Sequence, residues 1–184
     1  MRTAEKSEPR ERILEVADRL FYGEGVRATG TEKIMSLAEV AKATFYRHFE
    51  SKDALVLAYL DRRDRAFWEY LFSPAPPDNI HDALAKVERL VNHPDVTGCP
   101  FLRIASEYPD TTHPIHRRVI EHKDKLHDYL ASLLEPCAFD QSAAAARILG
   151  VIDGALSSRM VYGTLREVPL LSAAEAVLSS FRSL

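Results

Sequence analysis

From Ala38 to Phe49 the chain reads AEVAKATFYRHF, and the folding of this stretch decides the architecture. Taken with the residues before it as one helix, it places Ile34, Leu37, Ala38, Ala41, Phe45 and Phe49 within about 60° of one line. Val40 is then the main apolar misfit, far round on the other face. Two short helices joined by a turn would instead bury Val40 in the angle between them. Periodicity permits both.

The flanking sequence is helical on each side. A first helix is predicted from about Pro9 to Glu24, with Ile13, Val16, Ala17, Leu20 and Phe21 on one stripe. Pro9 suits its first turn and Gly25 its stop. Thr29-Gly30-Thr31-Glu32 has capping-box spacing, a start signal for a second helix. Ser51 and Lys52 open another, carrying Leu55, Ala58 and Tyr59 toward Trp68 and Leu71. Residues 73–79, SPAPPDN, break the pattern, because three prolines in four residues cannot continue a helix. Further helices are predicted over residues 80–91, 100–108, 113–134, 140–163 and 172–184. With seven glycines and no Asn-Gly hairpin turn, the chain reads as all-α, with about nine helices.

Composition sets the outer limits. Of 184 residues, 46% are apolar and 28% charged, as in a globular protein with a proper core. The opening MRTAEKSEPRER is too charged for a signal peptide, and no apolar run reaches membrane-spanning length. These features lead us to expect a cytoplasmic protein with no membrane contact. Cys99 and Cys137 lack CxxC or zinc spacing and are expected to be free thiols. The net charge of −3 divides unevenly: 13 Lys and Arg against 12 Asp and Glu through Arg65, 11 against 15 after it. Any nucleic-acid contact must therefore come from a local patch rather than bulk attraction.

The order of residues over a longer span favours the two-helix reading. Leu20-Phe21, Gly25, Thr29, Ile34, Ala38, Val40, Thr44-Phe45-Tyr46, His48-Phe49 and Ser51-Lys52 resemble, in order and spacing, the DNA-binding region of TetR (tetracycline-repressor-like) regulators. The resemblance covers about a quarter of the chain and implies a helix-turn-helix in residues 1–52. A ligand-binding and dimerisation domain would then occupy residues 53–184. In such a motif the second helix enters the major groove and the first braces it. Lys42, Thr44, Tyr46, Arg47 and His48 lie on that second helix, and their cationic, hydroxyl, phenol and imidazole groups suit phosphate oxygens. Lys52 at the next helix start, and Thr29 and Thr31 at the brace, complete the expected DNA-binding set.

Two positions depart from the family pattern. Glu39 stands where Gly would accept a left-handed turn at no steric cost, and Ala41 where Ser would cap the recognition helix. Phe45 and Phe49 are expected in the core.

Resemblance is thinner beyond residue 52. The segment AAAARILGVIDGALSSRMVYG resembles the family's penultimate helix, which with the last helix forms a four-helix dimer interface. Small residues such as Ala146, Gly150 and Gly154 would permit close approach. Ile148, Leu149, Ile152, Leu156, Val177, Leu178 and Phe181 are the expected apolar contacts. An inducer pocket, mostly apolar in character, is expected among Trp68, Phe72, Cys99, Phe101, Ile104, Tyr108, Leu126, Tyr129 and Ile152.

The whole implies a homodimeric regulator of a palindromic DNA operator, a repressor released by a small-molecule inducer of unknown identity. No cofactor, metal or catalytic group is expected. His113 and His116 lack a third ligand, and His127 lies three turns from His116. The competing readings are a small helical enzyme or thiol sensor using Cys99, with Cys137 as a partner, and a helical interaction module without DNA binding.

Overall fold

The computed structural model describes residues 8–134 and 140–182. Among these residues there are nine α-helices and no strand. They are α1 (Pro9–Glu24), α2 (Thr31–Leu37), α3 (Lys42–His48), α4 (Lys52–Phe72), α5 (Ile80–Val91), α6 (Pro100–Glu107), α7 (Pro114–Ser132), α8 (Gln141–Tyr162) and α9 (Leu170–Arg182). The all-α expectation holds, and the stretch from Ala38 to Phe49 does break.

Helix boundaries follow local chemistry. Pro9 occupies the first turn of α1, and Gly25, at φ 90°, ends it. The Asn79 and Asp140 side chains accept the Asp82 and Ala143 amides and so cap α5 and α8. Ser51 Oγ accepts the Ala54 amide at 3.0 Å at the head of α4. The capping box expected at Thr29 does not form. Gly30 sits at the N-cap of α2 without a side-chain bond, and Thr29 is fully buried, its hydroxyl donating to the Gly25 carbonyl at 2.7 Å. A hydroxyl engaged with the turn behind it is not available to the helix ahead.

The chain forms two compact units. One holds the residues up to Asp64 together with Arg103–Val119, and the other holds Arg65–Leu102 and the residues from Ile120 onward. In the first, α1 packs on α2 and α3 through a core that includes Ile13, Phe21, Ile34 and Phe45. Phe21 meets Tyr59 edge-on at 5.6 Å. Arg62 pairs with Glu11 and Asp18, and Arg63 with Asp18, so α4 is ionically tied to α1. Arg12 Nε donates to the Ala38 carbonyl at 3.1 Å and anchors the end of α2.

The α1–α2 turn is held from a distance. Glu107, the last residue of α6, accepts the amides of Val26 at 3.0 Å and Arg27 at 2.6 Å. A Cβ on Gly25 would lie 3.1 Å from the same carboxylate, so glycine is needed here both for φ and for the close approach.

The second unit is built on α5, α8 and α9. Ile80, Leu84, Val87, Ile148, Ile152, Leu178 and Phe181 belong to its core. Asn92 and Val168 exchange two hydrogen bonds, at 3.1 and 3.0 Å, and Glu88 accepts the Leu171 amide at 3.0 Å, which fixes the start of α9. The proline-rich loop is stapled by Lys86, whose ammonium donates to the carbonyls of Leu71, Ser73 and Ala75 at 2.8, 3.1 and 2.6 Å. Prolines have no N–H to offer those carbonyls, and a lysine supplies three donors instead.

Candidate nucleic-acid interface

The turn between α2 and α3 runs through Glu39, the one non-glycine among the described residues with positive φ, at 52°. Its amide donates to the Ser36 carbonyl at 3.2 Å, and the Val40 amide to Met35 at 3.1 Å. Val40 is half-buried in the angle of the turn. Leu37, grouped with the core stripe in the one-helix layout, is 48% exposed, because α2 ends there and the chain changes direction.

Ala41 stands at the N-cap of α3 with no side-chain bond to give. The helix is anchored on one side by Phe45 and Phe49, both buried, and the Arg10 guanidinium lies over the Phe49 ring at 5.2 Å. Its other sides reach solvent. Lys42, Ala43, Tyr46 and Arg47 are exposed, while Thr44 and His48 are half-buried.

The donors around α3 are unoccupied. Among the described residues, no hydrogen bond or ion pair holds the side chains of Lys42, Thr44, Arg47 or Lys52, or the Tyr46 hydroxyl. Buried His48 Nε2 also has no hydrogen-bond partner. Elsewhere in this unit several cations are matched, Lys33 by Glu24, Arg62 and Arg63 by Asp18, and Arg118 by Asp61 and Asp64, while exposed Arg19, Arg27 and Arg117 share the open state of the α3 donors. The expected contact residues are therefore brought together on α3 and the head of α4, with Thr31 half-exposed at the first turn of α2. Thr29 leaves the set, since it is enclosed.

The residues expected to line a pocket divide between the units. Ile104 and Tyr108 belong to the first, where the Tyr108 hydroxyl lies 3.5 Å from Asp53 Oδ1. Burial, with Asp53 adding to it, pushes that phenol up to about 12. In the second unit, the rings of Trp68, Phe72 and Tyr129 contact one another with centroids 5.4–5.5 Å apart. Lys125 Nζ sits 4.4 Å from the Trp68 ring. Phe101 stacks on buried His122 at 3.6 Å, and Phe67 links His122 to Trp68. Leu126 and Ile152 are buried in the adjoining core. A separate groove beside the 74–78 loop, lined by Asp82, Ala85, Lys86 and Arg89 among others, shares none of these residues.

Cys99 is 4% exposed, and burial pushes its thiol up from the ordinary range. Such a thiol is mostly protonated and a poor nucleophile. Cys137 lies outside the described residues. His113 and His116 have separate partners: His113 Nε2 is 3.6 Å from Asp53, and His116 Nδ1 is 2.6 Å from the Tyr108 carbonyl. No group of three His, Cys, Asp or Glu among the described residues is placed to hold a metal ion.

The apolar residues expected between two copies divide between the core of their own chain and its half-exposed margin. Ile148, Ile152, Leu178 and Phe181 point into their own core, with Leu149, Leu156 and Val177 at its margin. The face of α8 left open carries Ala146, Gly150, Gly154, Ser157 and Val161. A helix apolar on most sides does not declare which side faces its own chain. Glu107 had no sequence signal at all, standing 80 residues from the amide of Arg27 that it holds.

Comparison with known proteins gives transcriptional regulators. Residues 13–59 match the family model of bacterial regulatory proteins, tetR family. The fold superposes on a TetR-family transcriptional regulator from Streptomyces coelicolor with a TM-score of 0.83, at 33% identity over 95% of this chain and 96% of that one. A similar structure, a putative regulator of the same family from Streptomyces avermitilis, gives 0.83 at 29% identity, covering 96% and 99%. An HTH-type transcriptional repressor of Mycobacterium tuberculosis is 33% identical over 98 residues, 53% of this chain and 52% of that protein. The match thus spans about half the length of that relative.

Proposed function

Because the chain belongs to the TetR family of transcriptional regulators, we propose that it acts as a homodimeric repressor, bound to a palindromic DNA operator and released by a small-molecule inducer. The observation that carries this reading is the clustering of unoccupied donors (Lys42, Thr44, Tyr46, Arg47 and Lys52) on α3 and the head of α4, within the helix-turn-helix segment. Unpaired cations and hydroxyls on a short, well-anchored helix suit a phosphate backbone read from the major groove.

Dimerisation is supported by the open face of α8. Its small residues allow a second helix to approach closely, and Val161, 72% exposed, and Leu165, 87% exposed, add uncovered apolar area beside them. On α9, Ala173, Ala176 and Ser180 present a matching small-residue face. Two copies would supply the paired readers that a palindrome requires. The aromatic group of Trp68, Phe72 and Tyr129 supports an inducer site in the second unit. An inducer would act by binding more tightly to a state of the protein with lower operator affinity. The enclosed thiol of Cys99 weighs against enzymatic use.

The test is selection of bound fragments from genomic DNA by the full-length protein, followed by titration of the winning duplex over a salt series. The expected result is a palindromic motif bound by a dimer, with affinity falling as salt rises. Equal binding to all sequences, or none at low salt, would overturn the proposal.

A further inference from the structure

We infer that Arg47 reads a guanine in the major groove, while Lys42 and Tyr46 on the flank of α3 hold the backbone. The inference rests on the DNA-binding reading above and adds the division of labour within one helix. Phe45 fixes which side of α3 faces its own core, at 0% exposure. Ala43 and Arg47 lie two residues on either side of Phe45, so each is about 160° round from it at 100° per residue. They form the outermost ridge of α3, one turn apart. Lys42 and Tyr46 lie only about 60° and 100° round from Phe45, so they flank the helix rather than lead it.

The two ridge residues differ in a useful way. Ala43 adds only a methyl, so the helix backbone can come close to the groove floor at that turn. Arg47 then has the reach for a base edge. Its guanidinium is exposed and without an intramolecular partner among the described residues. The planar fork of an arginine matches the O6 and N7 acceptors of guanine, a bidentate pair that no other base presents in the major groove. A lysine or phenol on the flank meets phosphates, which carry no base information.

The experiment uses the full-length wild type and the R47A, R47K and K42A variants, each selected against a pool of randomised duplexes and then titrated on the wild-type motif over a salt series. Circular dichroism confirms that each exposed-residue variant folds. Wild type should enrich a motif with guanine at one position per half-site. R47A should keep the rest of the motif and lose about tenfold or more in discrimination at that position, with its salt dependence little changed. R47K should recover the preference only partly, lacking the fork. K42A should weaken binding to all sequences alike and flatten the salt dependence. If R47A weakens all sequences equally with a flatter salt slope, or leaves the motif unchanged, the assignment of Arg47 fails while the regulator stands. If wild type enriches no motif, both readings fall.

Discussion

Glu39 carries a backbone conformation that costs a residue with a Cβ about 1 kcal/mol relative to glycine, and it does so at φ 52°. Two residues later, Ala41 leaves the first amides of α3 without a side-chain acceptor, a loss of typically ~1 kcal/mol. Both weaken the element proposed to meet DNA, and Glu39 also adds negative charge beside it. The double variant Glu39→Gly/Ala41→Ser should therefore bind its selected operator several-fold tighter, with the gain largest at low salt. No gain anywhere in a salt series would refute this account. A second expectation concerns Cys99. In a Cys137→Ser background, native protein at neutral pH should react with iodoacetamide far more slowly than the same chain in denaturant, since burial holds the thiol protonated. Equal rates would contradict the enclosed site. Part was legible at this scale: the buried Phe45 and Phe49 follow from spacing. The left-handed turn at Glu39 and the uncapped Ala41 follow instead from the resemblance to TetR regulators, because residue type and spacing alone permit an unbroken helix. Thr29 was misread because a hydroxyl that bonds backward to Gly25 looks, in sequence, like one that caps forward.

Among elements, α8 separates two kinds of apolar residue that sequence does not distinguish. Gly150 and Gly154 are on the open side, and Ile148 and Ile152 on the closed one. Substituting Gly154→Glu should yield monomers by analytical ultracentrifugation while leaving each protomer folded. Ile148→Ala should instead lower the unfolding free energy by about 2–5 kcal/mol, as buried aliphatic truncations do, with folded protein still dimeric. The reverse pattern would place the interface elsewhere. The break between α2 and α3 was readable because many ordered positions agree on it. The facing of α8 was not, because the periodicity that marks an amphipathic helix vanishes when both sides are apolar.

For the molecule as a whole, the charge distribution forbids reliance on bulk attraction: the net charge is −3 and the residues through Arg65 carry a surplus of only one positive charge. Attachment to DNA must then depend on a few side chains, so its salt dependence should drop in visible steps as Lys42 and Lys52 are removed singly. Affinity that scales instead with total charge, in variants altered far from α3, would contradict this.

The clamp on the α1–α2 turn bears on how such a protein can be taken apart. The unit that presents α3 is discontinuous, drawing Arg103–Val119 into the same body as the residues before Asp64. Glu107→Ala in the full chain should speed amide exchange at Val26 and Arg27 and lower the melting temperature; unchanged exchange would mean the clamp is idle. A fragment ending at Asp64 should fold less cooperatively than the intact chain, since it also loses the Arg118 pairs to Asp61 and Asp64. The unit proposed to read DNA thus draws on residues far beyond the N-terminal segment. A hybrid regulator that grafts these first residues onto a relative's sensor inherits a reader whose supporting turn depends on what the relative happens to carry at the end of its sixth helix.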